Sequence, residues 1–259
     1  MLIPIPSLMH ILQAVLLGIL QGVTEWLPIS SEGQTLLVMI SWLKISPEAA
    51  LSTSIFLHLG TMAAVVVKFR HEFFEVFRNL ESAVARTLII STIFTGVFGL
   101  PLYFLVRDAF TDGRTATFFI GFLLIATGLL LRYQRAGTKG LDEVTTRDMI
   151  VLGLAQGLAI LPGISRSGTT ITVLLMRKVR QDISLTLSFM ISVPAVLGAV
   201  ILDNSFSEIP LKISAAMFLS AFVAGYLTMD LLVKFSQKIN FSKFCIVLGA
   251  FTIVITAMI

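Results

Sequence analysis

Residues 17–38, LGILQGVTEWLPISSEGQTLLV, and residues 152–173, LGLAQGLAILPGISRSGTTITV, align without a gap at an offset of 135. Identical residues stand at Leu17, Gly18, Gln21, Gly22, Ile29, Ser30, Gly33, Thr35 and Val38, 9 positions in 22. Apolar matches arise easily by chance. A Gln-Gly pair followed at one fixed distance by Ser-x-x-Gly-x-Thr does not, so the chain reads as an internal duplication. Whatever it folds into must use twice a segment that is apolar yet broken by proline, glycine and hydroxyl residues.

The solvent for that fold follows from the composition. With 56% hydrophobic and 13% charged residues and a mean hydropathy of +0.94, the chain has too little polar surface to cover a soluble globule. Stretches at 50–68, 83–105, 116–132, 184–201, 211–233 and 241–259 meet or approach the roughly 20 apolar residues that cross a bilayer. Runs at 8–27, 34–43, 149–161 and 169–176 are too short or too broken and suit re-entrant hairpins. The expected fold is an all-α polytopic membrane protein, a single membrane domain over 1–259 made of two repeats. Repeat one (1–140) has a re-entrant broken-helix hairpin at 8–43 and three transmembrane helices; repeat two (141–259) has its hairpin at 149–178 and three more. Three is odd, so the second repeat sits upside down relative to the first, an inverted-topology repeat.

Positive charges test that arrangement. With the turn after the first span in the cytoplasm, Lys68, Arg70, Arg78, Arg86, Arg132, Arg135, Lys139, Arg147, Arg177, Lys178, Arg180, Lys234, Lys238 and Lys243 lie inside. Only Lys44, Arg107, Arg114 and Lys212 lie outside. The positive-inside rule favours this orientation and places both termini outside, in a multi-pass protein of the cell (plasma or inner) membrane. The basic excess is thus a topology signal and does not point to nucleic acid. No basic residue precedes the first apolar run, so a cleaved signal peptide is not expected. Cys245 is the single cysteine, which excludes an intrachain disulfide and a cysteine metal cage.

In this orientation the two hairpins dip in from opposite sides and their polar breaks, LPISSEGQ and LPGISRSGTT, meet near mid-membrane. Non-helical backbone is tolerated there only when buried in protein or lining a wet cavity, and broken helices aim N–H groups that attract phosphate or carboxylate. Arg166 lies in an apolar context, where a charge requires an anionic partner or ligand, and its fork suits phosphate oxygens. Gln21 and Glu25, four apart, share a helical face, and Glu25 offers a carboxylate to a divalent cation or a proton. Ser30, Ser31, Ser165, Ser167, Thr169 and Thr170 add hydroxyls, and Gly33, Gly163 and Gly168 let backbone approach a ligand. Together these make an oxyanion site. Plainer readings stand beside it. Glu25 and Arg166 also suit a buried ion pair fixing the two repeats. Gly18, Gly22, Gly153 and Gly157 suit helix packing, Ser30, Ser165 and Ser167 suit backbone bonding, and His58 suits a packed or cavity-lining place on the first span.

The motif Gln-Gly-x-x-Glu-x-x-Pro-x-Ser-Ser-x-Gly from Gln21, followed by Pro-Gly-x-Ser-Arg-Ser-Gly-x-Thr from Pro162, closely resembles the undecaprenyl-diphosphate phosphatases of the bacitracin-resistance type, over nearly the whole chain. The resemblance implies hydrolysis of a polyprenyl (undecaprenyl-type) diphosphate to polyprenyl phosphate and phosphate at an outward-facing intramembrane site. This would recycle the lipid carrier for cell-envelope glycan synthesis. It further implies a divalent cation, Mg or Ca, and leaves a homodimer open. It makes Glu25 metal- or acid-base-linked, Ser31 the nucleophile and Arg166 the diphosphate clamp, with Gln21, Ser30, Gly33, Gln34, Gly163, Ser165, Ser167, Gly168 and Thr170 toward the substrate.

The chain departs from that family at two positions. The family commonly has Glu where this chain has Gln21, and His where it has Gln34. Glutamine does not exchange protons usefully, and general acid–base groups contribute about 10²- to 10⁴-fold. Glu32 or His58 would have to substitute. Otherwise the alternative is a catalytically impaired carrier or flippase for a polyprenyl phosphate, for which broken helices and inverted repeats also suit.

Overall fold

The computed structural model describes residues 10–109, 112–133, 137–203, 209–236 and 241–258. Met1 and Ile259, the termini expected outside, and residues 8 and 9 of the first hairpin lie beyond these. The described residues form helices and their connections, and an isolated bridge pairs Lys139 with Val179. Two short helices come first, α1 (Ile11–Thr24) and α2 (Ser31–Leu37), the latter running into a π-helical turn over Val38–Trp42. Next are α3 (Pro47–Lys68), the short α4 (Arg70–Arg78), α5 (Ala83–Ala109) and α6 (Gly113–Leu130). A second short pair, α7 (Thr146–Leu158) and α8 (Arg166–Met176), precedes α9 (Gln181–Leu202), α10 (Leu211–Ser236) and α11 (Phe241–Met258).

Six helices, α3, α5, α6, α9, α10 and α11, are long and apolar enough to cross a membrane, and each of the six long apolar stretches falls on one of them. At 1.5 Å per residue, α1 (14 residues), α2 (7), α7 (13) and α8 (11) are too short for a core about 30 Å thick. Local chemistry sets their starts. The Ser30 and Ser165 hydroxyls accept from the N–H groups of Gly33 (3.2 Å) and Gly168 (3.1 Å), capping α2 and α8. Thr145 and Asp148 form a capping box on α7.

The packing reads as two matched sets. α1 packs on α10 and α7 on α5, while α6 packs on α11 and α3 on α9. Thr35 Oγ1 meets Ser54 Oγ at 2.8 Å, and its repeat mate Thr170 meets Ser188 at 2.6 Å. The α1–α10 contact is closed by Gly22, where an added Cβ would lie 2.7 Å from the Gly225 backbone nitrogen. Gly22 therefore lets two backbones touch, as small residues do between membrane helices. Leu36, Leu57, Ile120 and Leu124 fill one buried cluster and Leu152, Leu174 and Met190 another. Leu227 and Leu231 on α10, Phe122 on α6 and Phe251 on α11 point outward. Apolar side chains outside as well as inside suit a lipid surround.

Candidate active site

The break between α1 and α2 and the break between α7 and α8 touch. Ser30 sits in the left-handed region (φ 58°) and Gly163 at φ 108°. The Gly163 N–H donates to Ser30 Oγ at 3.2 Å. Only glycine suits position 163, since a Cβ there would also come within 2.7 Å of the Ile120 carbonyl oxygen. Thr127 ties the second break to α6: its hydroxyl donates to the Gly163 carbonyl (2.9 Å) and accepts from the Ser165 N–H (3.1 Å). Trp26 holds the first break to α10 by donating its indole N–H to the Gly225 carbonyl at 3.0 Å.

Glu25, buried at the end of α1, is the hub. Its Oε1 accepts from Arg166 Nη2. Its Oε2 accepts from the Ser31 hydroxyl at 2.6 Å and from Gln21 Nε2 at 2.8 Å, with His58 Nε2 at 3.5 Å. Gln21 gives Glu25 a donor where a second carboxylate would give repulsion, which explains how glutamine is accommodated there. Arg166 also donates through Nη1 to the Ser188 carbonyl (3.0 Å), and its guanidinium lies 5.9 Å from the Phe189 ring centroid. His58 Nδ1 lies 2.7 Å from the Ser54 carbonyl oxygen. A carbonyl only accepts, so Nδ1 carries a hydrogen and Nε2 is the nitrogen turned toward Glu25.

These groups line a small polar pocket with Ser30, Glu32, Ser165 and Ser167. Glu32, His58, Ala159 and Arg166 also line a larger chamber walled by α3, α5, α7 and α9. Ile55, Tyr103, Val106, Ile160, Val196 and Ala199 wall that chamber. A polar pocket that shares a wall with an apolar chamber matches an amphiphile with an anionic head.

The residues singled out by sequence do not all arrive there. Glu25, Ser30, Ser31, Glu32, His58, Ser165, Arg166 and Ser167 line the pocket, and Gln21 stands behind it on Glu25 and Ser31. Gly33, Gly163, Gly168 and Thr170 form the supporting layer; the Thr170 hydroxyl bonds Ser188 and the Arg166 carbonyl (2.7 Å), steadying the turn that carries Arg166. Gln34 lies elsewhere: its amide donates to the Ile29 carbonyl at 3.0 Å and its side chain lines a separate outer groove. Thr127, Ser54 and Ser188 are supports that sequence reading missed. Ser54 and Ser188 are 134 residues apart against a repeat offset of 135, so two hydroxyls recurring in apolar spans were the available signal.

For a divalent cation the pocket offers the carboxylates of Glu25 and Glu32. Among the described residues no three His, Cys, Asp or Glu side chains are grouped so that they alone could hold a metal ion. Both Glu25 oxygens already accept hydrogen bonds. These residues therefore fit a Mg-type cation only in company with phosphate oxygens, a common mode in which one or two carboxylates add to the substrate's own ligands.

Comparison with known proteins identifies the family. The family model described as bacitracin resistance protein BacA matches residues 14–254. A protein of Methanothrix thermoacetophila named undecaprenyl-diphosphatase is 57% identical over 254 residues, covering 96% of this chain and 98% of the relative. Proteins of the same name from Methanococcoides burtonii and Methanopyrus kandleri are 42% and 36% identical, covering 93% of this chain in each case and 96% and 94% of the relatives. With a family match over most of its length, and relatives this similar end to end, the chain belongs to the bacitracin resistance protein BacA family.

Proposed function

We propose that this protein is a polyprenyl-diphosphate phosphatase, hydrolysing an undecaprenyl-type diphosphate to polyprenyl phosphate and inorganic phosphate. The observation that carries the reading is the Ser31–Glu25–Arg166 array, set where a polar pocket adjoins an apolar chamber. The prenyl chain occupies the chamber and the diphosphate the pocket. Arg166 has N–H donors beyond those given to Glu25 and Ser188, and these clamp the phosphate oxygens. Ser31 Oγ attacks the terminal phosphorus and hands its proton to Glu25, already the acceptor of that hydrogen. The Oγ–P bond forms as the bridging P–O bond breaks, and polyprenyl phosphate leaves. Water then attacks the phosphoserine, releasing phosphate and returning the proton to Ser31. Glu32 and His58 stand at the junction of pocket and chamber, near the bridging oxygen, and exchange protons there. Glu25 and Glu32, together with the diphosphate, would hold a divalent cation, Mg or Ca, which would supply further charge neutralisation.

The proposal includes an inverted repeat with both termini on the outer side of the cell membrane, so that the site serves carrier lipid returning from envelope glycan synthesis. Its support is the matched packing of α1 on α10 and α7 on α5 and the inward bias of Lys and Arg. A carrier role drew on the inverted repeats, the broken helices and, as its ground against catalysis, a proton-inert residue in the site at position 34. Gln34 lines another groove, so that ground is absent.

The test is phosphate release from polyprenyl diphosphate with Mg or Ca in detergent, run on wild type, Ser31→Ala and Glu25→Gln. Wild type should turn over and each variant should fall by at least about 10²-fold. Turnover that survives Ser31→Ala removes the nucleophile, and a wild type inert under every cation, yet moving lipid across sealed vesicles, restores the carrier.

A further inference from the structure

A second cavity lies apart from the catalytic pocket, between the end of α11, the start of α6 and the π-helical turn after α2. Its walls are mostly apolar, with Leu20, Leu37, Val38, Leu248, Phe251 and Ile255 beside Gln34 and the hydroxyls of Ser41, Thr117, Thr252 and Thr256. Its mouth carries two cations, Lys44 and Arg114, and one carboxylate, Asp112. Asp112 is committed to its own helix, accepting from the Thr115 N–H and hydroxyl at 2.8 Å each. Lys44 has no ion pair or hydrogen bond for its ammonium among the described residues, and Arg114 donates to the Ala257 carbonyl at a long 3.4 Å. Lys44, and Arg114 with its charge partly shared by Asp112, thus face a slot whose walls are mostly hydrocarbon.

Two adjacent backbone irregularities build this mouth. The π-helical turn of Val38–Trp42 closes with the Leu43 N–H on the Val38 carbonyl (3.2 Å) and presents Trp42, 79% exposed. Two residues on, Lys44 adopts φ 56°, a left-handed conformation rare for a side-chain-bearing residue. Single π turns and left-handed non-glycine residues concentrate at functional positions because the surrounding structure must hold them there. Here both place an interfacial aromatic and a cation at the rim of one groove.

We infer that this groove binds one anionic phospholipid, its phosphate between Lys44 and Arg114 and an acyl chain along the α11 wall. Leu248 to Ile255 covers roughly 10 Å of helix, the length of the upper part of such a chain. Inside a bilayer the apolar wall takes any acyl chain equally well, so selectivity rests on the head group. Two cations against one carboxylate already hydrogen-bonded favour a net negative charge over a zwitterion. On the proposed outer face, where basic residues are few, this is where they gather.

The two tryptophans provide the measurement. Trp26 is 1% exposed and shielded in the protein, whereas Trp42 stands at the groove. The protein is placed in vesicles containing either brominated phosphatidylglycerol among unlabelled phosphatidylcholine or the reverse, and Trp42 emission is taken as wild type minus Trp42→Phe. Brominated phosphatidylglycerol should quench at about tenfold lower mole fraction than brominated phosphatidylcholine. The preference should vanish in the Lys44→Ser, Arg114→Gln double variant and persist in Lys44→Arg, with thermal unfolding of each variant confirming the fold. Equal quenching by both lipids, or a preference that survives the double variant, overturns the site. So does protection from both lipids in a two-chain particle, which would give the groove to a second copy.

Discussion

Ser30 Oγ accepts the N–H of Gly163 at 3.2 Å, joining two helix breaks 133 residues apart. Everything in the catalytic pocket depends on this seam, because Glu25 and Ser31 come from one side of it and Arg166 from the other.

Replacing Gly163 with alanine should therefore be costly although only a methyl is added. The methyl meets the Ile120 carbonyl at 2.7 Å, on a backbone at φ 108°. A loss of order 1–3 kcal/mol is expected. Thermal unfolding in detergent measures it. A midpoint unchanged from wild type would mean that the seam contributes no stability.

Arg166→Lys retains the charge and loses the fork. One ammonium cannot reach Glu25, the Ser188 carbonyl and a diphosphate in the same geometry, so binding of a non-hydrolysable diphosphate analogue should weaken more than about tenfold. Unchanged affinity would return Arg166 to a purely structural ion pair with Glu25.

Gln34→His should alter turnover by less than about twofold, since the side chain lies outside the pocket and proton-transfer gains require hydrogen-bond reach of the reacting atoms. Steady-state phosphate release decides this. A gain of tenfold or more would place position 34 in the chemistry.

Asp148, fully shielded at the start of α7, should make stability acid-sensitive. Burial alone raises its carboxyl, but hydrogen bonds from the Thr145 N–H, Arg177, the Thr145 hydroxyl and Lys139 more than offset this and bring it down from 3.8 to about 2. A folded-state value below the unfolded one means stability present above about pH 4 and lost as pH falls through about 2, of order 2 kcal/mol. The gap in unfolding midpoint between wild type and Asp148→Asn should be full at pH 7 and shrink toward pH 2.5. A gap independent of pH would show that the carboxylate's charge plays no part.

Orientation can be read with a membrane-impermeant thiol reagent, since the native Cys245 is buried. Glu48→Cys, exposed at the start of α3, should label from outside in intact cells, and Arg147→Cys, exposed at the start of α7, should not. The opposite pattern would invert the topology.

Much of this protein is set by sequence alone, for a physical reason in each case. Apolar runs of bilayer length have no alternative to spanning helices, because lipid satisfies no backbone polar group. The repeat and the cost of an isolated charge in apolar surroundings were enough to expect Arg166 to seek an anion, and Glu25 was the acid in the opposing break. What sequence could not decide is which face each hydroxyl, amide and imidazole would present. Ser31 and Gln34 are three residues apart on one short helix, yet one bonds Glu25 and the other turns back to the Ile29 carbonyl. His58 joins Glu25 from a span that shares no motif with it, and Thr127 and Ser188 support the second break from helices that read as plain apolar spans. The length of the apolar runs leads to helices long enough to span. Their rotation and depth come from close contacts such as Gly22 on Gly225 and the Ser30–Gly163 bond, and only the tertiary structure brings those partners together.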